Sequence, residues 1–378
     1  MAVYELNRYV YGLHEAPRAF NSLLDKTLQD MGMKPTKADP CVYTIKRNRG
    51  MLILSVHVDD MLLTAPDAHA REWFESQIQK SFEVVIQHDY VSYLGMSIKT
   101  EEDGSVCVDQ HGFLSTILKK TKCSALSKTP STPANAELAA CKSSDEKANR
   151  KEYLSLIMSL MYLARFTRPD ILFGVSYLAS KCSEPTKEDE AKLMRIVRYL
   201  AGTQEYGLKF DSKIAFNPHI CADASHHLYH SGHGQQGFFI SNGSAPVGSR
   251  STKIRMITRS TSESELVALE EASTYAVWYT LLLSELGMKL DKPITIYQDN
   301  KSTMVMAAMG PTFKRTKHLI GKRSYVRERL ADKQIMLAYM PTREMTADIL
   351  TKPIPATAFR RLTERIGLRK IKGKKKQI

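Results

Sequence analysis

Several stretches of this chain place acids where a scaffold could aim them. VHVDDMLL (56–63) sets Asp59 and Asp60 side by side between apolar runs. PHICADAS carries Asp223 at the end of a short apolar strand, and STSESELVAL carries Glu265 in the first turn of a long helix. ITIYQDN ends a strand at Asp299, and MTADILTKP sets Asp348 at a helix start. Adjacent carboxylates repel one another unless a cation lies between them, and hard oxygen ligands hold Mg²⁺ against phosphate groups. Each acid also has a plainer use. Aspartate favours turns because its side chain bonds nearby backbone N–H groups. Ser262 and Glu265 match the S-x-x-E capping box. Asp299 or Asn300 could cap the helix that follows, and Asp348 a short helix of its own. Taken singly, each of these acids favours its plainer use as a turn or helix-end residue.

The elements that must position them follow from periodicity. RAFNSLLDKTLQDMGM is helical by the spacing of Phe20, Leu23, Leu24, Leu28 and Met31. MLILSVHVDDMLL reads as paired strands with an acidic tip, and AREWFESQIQKSF as a helix. VSYLGMSIKTEEDGSVCVDQ predicts a hairpin around Asp103-Gly104. Residues 122–150, rich in Ser, Thr, Ala and Lys with two prolines, read as a linker. KEYLSLIMSLMYLARF and EDEAKLMRIVRYLAGT are helical patterns separated by a break at Pro169. From 218 the predicted order is three strands, a long helix, a strand, two helices, a strand and a helix.

Composition narrows the class. The 378 residues suit two or three domains, with 43% hydrophobic and 25% charged residues. No apolar run approaches the ~18 residues of a membrane span, and Glu5 and Arg8 interrupt any signal-peptide core. Six scattered cysteines without a C-x-x-C pair fit reduced thiols, which points to cytoplasm or nucleus. Net charge is +14, and residues 358–378 hold nine Lys/Arg against one Glu. That stretch reads as a basic tail, either a solvated, frayed terminus or a phosphate-binding or nuclear-import segment in which Lys370, Lys372, Lys374, Lys375 and Lys376 stay in solvent and meet phosphates.

The motifs, in order, resemble the end of a copia-type retrotransposon Pol polyprotein, reverse transcriptase followed by ribonuclease H. YVYGLHEAPRAF (9–20) resembles LYGL-x-x-APRAW, KADPCVY (37–43) resembles ADPC-[LV]-[YF], and VHVDDMLL resembles YVDDILI. SYLGMSI resembles FLG-x-x-I, and SLMYLARFTRPDI (159–171) resembles SL-x-YLA-x-TRPDI. STSESELVAL resembles SSTEAEY-x-AL, RTKHLIGKRSYVRE (315–328) resembles RSKHI…H-[FY]-x-RE, and TADILTKP is nearly unchanged.

The resemblance implies a mixture of α/β and α+β architecture: a partial polymerase palm and thumb, then a ribonuclease H-like mixed-sheet domain. The implied division is palm at 1–121, linker and thumb/connection helices at 122–212, ribonuclease H at 213–355 and basic tail at 356–378. It assigns Asp59 and Asp60 to the palm's metal pair, Gly12, Ala16 and Pro17 to the surroundings of nucleotide and template, and the SYLGM hairpin to gripping a primer. Asp223, Glu265, Asp299 and Asp348 become the acids that hold Mg²⁺, with Mn²⁺ the other candidate, for hydrolysis of RNA in an RNA–DNA hybrid. Implied partners are that hybrid, other nucleic acid and further Pol segments, with no membrane. The family's third palm Asp, in an LDVKTAFLNG-like block, has no equivalent in this sequence, so the polymerase half is expected to be incomplete. His57 stands where the family has Tyr. His318 is expected to be a polar contact, and the cluster His226, His227, His230 and His233 a mobile loop. Two rival readings remain: a catalytically silent or repurposed nucleic-acid binder, and an incomplete gene model of an active reverse transcriptase.

Overall fold

The computed structural model describes residues 12–88, 91–123, 128–139, 146–308 and 314–371. The chain packs as two compact units, Met1–His88 with Trp278–Asp291, and Asp89–Val277 with Lys292–Ile378.

The first unit is a small sheet under two helices. Helix α1 (Ala16–Asp30) is followed by β1 (Lys34–Pro35), β2 (Val42–Arg47), β3 (Gly50–His57), β4 (Asp60–Thr64) and α2 (Ala68–Ile78). The four strands pair antiparallel in the order β1-β2-β3-β4. Alternate residues of β3, Leu52, Leu54 and Val56, are buried, as a half-covered strand requires. They share a cluster with Leu24 and Leu28 of α1 and Ala70, Phe74 and Ile78 of α2. Full burial of each such side chain contributes about 1.5–3 kcal/mol. Leu23, which spacing assigned to the apolar face of α1, is instead exposed. Asp67 starts α2 by accepting the Ala70 N–H at 2.8 Å.

The second unit begins with β5 (Val91–Tyr93), β6 (Met96–Thr100), β7 (Val106–Asp109) and α3 (His111–Lys120). Helices α4 (Arg150–Phe166), α5 (Leu172–Ala179) and α6 (Lys187–Gly202) follow, then β8 (Tyr206–Phe210). Next come β9 (His219–Ser225), β10 (Gln235–Ser241), β11 (Pro246–Lys253) and α7 (Thr261–Glu285), whose last turns count with the first unit. The chain continues through β12 (Ile294–Gln298), α8 (Lys301–Ala308), α9 (Ile320–Ala331), β13 (Ile335–Tyr339), α10 (Ala356–Arg365) and β14 (Leu368–Lys370). From 218 to 339 the order of strands and helices is the predicted one; the helix expected at Asp348 is only the short 3₁₀ turn Thr346–Leu350, and α10 was not expected.

Two five-stranded sheets result. One is antiparallel throughout, β14-β8-β7-β6-β5. The other, β11-β10-β9-β12-β13, is mixed: β9, β10 and β11 pair antiparallel, while β9, β12 and β13 run parallel. This is the mixed α/β architecture expected. The hairpin at Asp103-Gly104 forms with Gly104 at φ +79°, and Leu94 and Gly95 turn the SYLGM hairpin with φ of +49° and +67°.

The expected divisions differ from the packing in three places. Residues 91–120, assigned to the palm, pack in the second unit because β7 pairs with β8, a partner almost a hundred residues away. No break falls at 212/213, since one hydrophobic core joins α3–α6 to Phe239, Leu350 and Leu368. Residues 356–371 are not a tail: α10 buries Phe359 and Leu362, and β14 buries Leu368. Lys370 stays in solvent, as expected, and its exposed ammonium pairs with Glu205 at 2.7 Å. Lys372, Lys374, Lys375 and Lys376 lie outside the described residues.

The break at Pro169 is a 3₁₀ turn, Pro169–Ile171, held by a buried ion pair. Arg168, 1% exposed, donates from Nε to Asp170 Oδ1 at 3.0 Å and from Nη2 to Oδ2 at 2.8 Å. Its remaining N–H groups reach the Thr203 carbonyl and hydroxyl, and the Tyr199 hydroxyl donates to Asp170. Among the described residues, no helix is long and apolar enough to cross a membrane.

Candidate functional site

In the first unit, register decides where the paired acids stand. His57 pairs with Asp60, so Val58 and Asp59 form a two-residue turn with both carboxylates at the exposed tip. Val58 sits at φ +57°, a region that a β-branched residue avoids. Replacement by glycine removes the backbone strain, about 1–2 kcal/mol, and loses about 0.5–1 kcal/mol to unfolded-chain entropy. Val58 is 61% exposed, so little burial is lost. Val58→Gly is therefore expected to stabilise the chain by about 0.5 kcal/mol, measured by urea unfolding. Gly12, at φ +97°, Ala16 and Pro17 form the entry to α1, with Pro17 in the first turn where its missing N–H costs nothing.

In the second unit, four acids are positioned by separate elements. Parallel pairing of β9 with β12 sets Cys221 beside Tyr297. Asp223 and Asp299 each lie two residues farther on, so the two-residue period of a strand turns both to one side. Asp223 is 1% exposed within β9, and Asp299 follows the last residue of β12. Glu265, 3% exposed on α7, is held across the strand ends: its Oε2 accepts the Ala224 N–H at 3.1 Å and Gln298 Nε2 at 3.3 Å. Carboxylate oxygens of Asp223, Glu265 and Asp299 lie within 4.8 Å of one another. Asp348, on the 3₁₀ turn Thr346–Leu350, faces Asp223 across the Lys352 ammonium, which is 2.8 Å from Asp348 Oδ1 and 3.6 Å from Asp223 Oδ2.

The plainer uses are filled by neighbours. Ser260, not Ser262, accepts the N–H that starts α7, from Glu263 at 3.3 Å, and Glu263 accepts the Arg259 N–H at 2.7 Å. Asn300, not Asp299, caps α8 by accepting the Thr303 N–H at 3.1 Å. Glu265 and Asp299 are thus released from helix ends. His318 contacts Glu263 at 3.3 Å, a polar contact. His226 is anchored to Thr258 and Ser264 and stacks on His227, while His233 bonds Ser231.

Close approach of the Asp348 turn to β9 and β10 depends on Gly237, which pairs with Asp223. A Cβ there would lie 2.6 Å from Leu350 Cβ and 3.0 Å from the Arg250 carbonyl oxygen. Gly237→Ala is expected to push the 346–350 turn away, costing about 1–3 kcal/mol in chemical unfolding.

Electrostatics mark the cluster as short of positive charge. Burial, then Asp223 and Asp299, push the Glu265 carboxyl well above the usual range. Burial, then Asp223, push Asp348 up to about 7, more than Lys352 offsets. Burial works against the Lys352 ammonium, yet Asp223 and Asp348 hold its pKa above that of an ordinary lysine. An all-oxygen donor set with unneutralised charge suits a hard divalent cation such as Mg²⁺. Thr351, whose hydroxyl donates to Asp223, and Lys352 were missed as site residues in the sequence. The available signal was a lysine four residues after Asp348, a spacing that also suits a solvated surface pair.

The comparisons with known proteins agree with the motif order. Residues 1–135 match the family model for reverse transcriptase (RNA-dependent DNA polymerase). The chain is 28% identical over 370 residues to the retrovirus-related Pol polyprotein from transposon RE1 of Arabidopsis thaliana, covering 98% of this chain and 25% of that protein. It is 29% identical over 377 residues to the Pol polyprotein from transposon TNT 1-94 of Nicotiana tabacum, covering 97% and 28%. The chain thus spans about a quarter of the length of these curated relatives. A solved foamy viral protease-reverse transcriptase, in complex with RNA/DNA hybrid, aligns with a TM-score of 0.47 at 15% identity, covering 89% of this chain and 39% of that one.

Proposed function

We propose that this chain, a relative of retrotransposon Pol polyproteins along nearly its whole length, hydrolyses the RNA strand of an RNA–DNA hybrid at the Asp223–Glu265–Asp299–Asp348 centre. The observation that carries this reading is the convergence of three carboxylates within 4.8 Å from two strand ends and a helix, with Asp348 joined through Lys352. Asp223, Glu265, Asp299 and Asp348 would hold Mg²⁺ or Mn²⁺, and the bound ion supplies charge for the scissile phosphate and a water of lowered pKa. The chain's own groups do the positioning. Gln298 and the Ala224 N–H fix the Glu265 carboxylate. The Thr342 hydroxyl holds Asp299 Oδ2 at 2.7 Å, and Thr351 holds Asp223. Asp223, Glu265 and Asp299 are thus aimed before substrate arrives, so these three need little reorganisation for the reaction.

In the first unit, Asp59 and Asp60 are assigned to the metal pair of an RNA-directed DNA polymerase palm, with Gly12, Ala16 and Pro17 near nucleotide and template. The SYLGM turn of the second unit is assigned to the primer. A second reading, a nucleic-acid binder without catalysis, is favoured by Lys352, which already supplies one positive charge to the centre. Incubating the chain with an RNA–DNA hybrid labelled on the RNA separates the two: Mg²⁺-dependent shortening of the RNA is expected. Binding of the hybrid without cleavage in either Mg²⁺ or Mn²⁺ would leave only the binder.

A further inference from the structure

The four carboxylates form two bays that share Asp223. Asp223, Glu265 and Asp299 face one another without a basic side chain among their hydrogen-bond partners, which are Ala224, Gln298, Thr342 and Thr351. The bay between Asp223 and Asp348 is different: the Lys352 ammonium stands in it, 3.6 Å from one carboxylate and 2.8 Å from the other. A divalent ion bound to both acids needs oxygens at about 2.0–2.1 Å for Mg²⁺, which leaves no space for an ammonium between them.

We propose that Lys352 is a displaceable counter-cation that occupies the Asp223–Asp348 bay, and that it must leave before a second divalent ion enters there. The inference rests on the hydrolase reading above. Three features make departure feasible. The lysine stem has four rotatable carbons, and its ammonium is a point charge that makes no fixed bidentate fork. The side chain is 36% exposed, so a route to solvent is open. Lys352 is also only four residues from Asp348, so after leaving it stays tethered at the rim and can return. A phosphate bound beside the centre would give the released ammonium a new partner, so substrate and second ion would arrive together. The open bay would fill first and the lysine-held bay second.

Calorimetric Mn²⁺ titration of the full chain tests this. Wild type is expected to show one tighter and one weaker ion. In Lys352→Met the weaker ion should tighten roughly tenfold or more, because a positive charge a few ångströms away is gone. Lys352→Arg keeps the charge and adds a bidentate fork that should hold both carboxylates, so the weaker ion is expected to bind more weakly than in wild type. A purely structural lysine predicts otherwise: lower melting temperature in Lys352→Met with unchanged ion affinities, and that result overturns the proposal. Should Lys352→Met fail to fold, Lys352→Gln takes the same titration with the same criterion. Hybrid cleavage by wild type is followed alongside. Cleavage with two bound ions but no tightening in the variants sinks only the counter-cation. Absence of both ion binding and cleavage in folded wild type sinks the hydrolase reading with it.

Discussion

Asp299→Asn is expected to lower hybrid cleavage about a hundredfold or more while leaving the fold intact or slightly more stable. The side chain keeps its shape and one carbonyl oxygen, so the Thr342 hydroxyl retains an acceptor. What disappears is one negative charge of a crowded set, which a divalent ion needs and the metal-free protein suffers. Asp299 is among the groups that push Glu265 up, so its neutralisation relieves repulsion inside a buried site. Activity and stability should therefore move in opposite directions, as at sites where function is held against folding. The measurement pairs cleavage of labelled hybrid with thermal unfolding in the absence of metal. More than a tenth of wild-type cleavage in the variant would remove Asp299 from the centre.

The second large effect is on stability alone. Asp170→Ala should cost about 3–5 kcal/mol, because it strands a fully buried guanidinium. Arg168 would keep its bonds to Thr203, but the two it gives Asp170 would have no acceptor, and the Tyr199 hydroxyl would lose its own. The loss should appear as a lower urea midpoint for the second unit. Replacing both residues, Arg168→Met with Asp170→Ala, should recover part of it, since the cost lies in the unpaired charge more than in the lost pair. An unchanged midpoint in Asp170→Ala would show that water reaches the guanidinium.

Both effects rest on residues that differ in how far sequence reveals them. Asp223 and Asp299 were legible because each ends an apolar run, and the run gives away the strand that aims it. Glu265 was legible as a helix residue and misleading as a cap, since Ser262 satisfies the S-x-x-E pattern as well as Ser260 satisfies its own with Glu263. Which serine caps depends on where the chain leaves β11, a tertiary fact. The role of Lys352 was hidden for a similar reason: its second partner, Asp223, is 129 residues earlier. Charge density also concealed structure. Residues 358–371 carry so many Lys and Arg that the spacing of Phe359, Leu362, Ile366 and Leu368 went unread, although it is the apolar stripe of a short helix running into a strand. Strand pairing beyond a hairpin was the least legible feature, because a strand's apolar pattern states that it has neighbours without saying which.

That last pairing has a consequence for how the chain is made. Strand β8 ends at Phe210 and meets β14 only at Leu368, 158 residues later. At synthesis rates of about 5–20 residues per second, β8 would be complete for roughly 8–32 s before its outer neighbour exists. Throughout that interval one edge of the antiparallel sheet offers unpaired N–H and C=O groups to any passing strand, including those of sister chains on the same message. The final strand is thus a late-arriving shield, and conditions that slow translation of the last third of the chain would lengthen the window for aggregation.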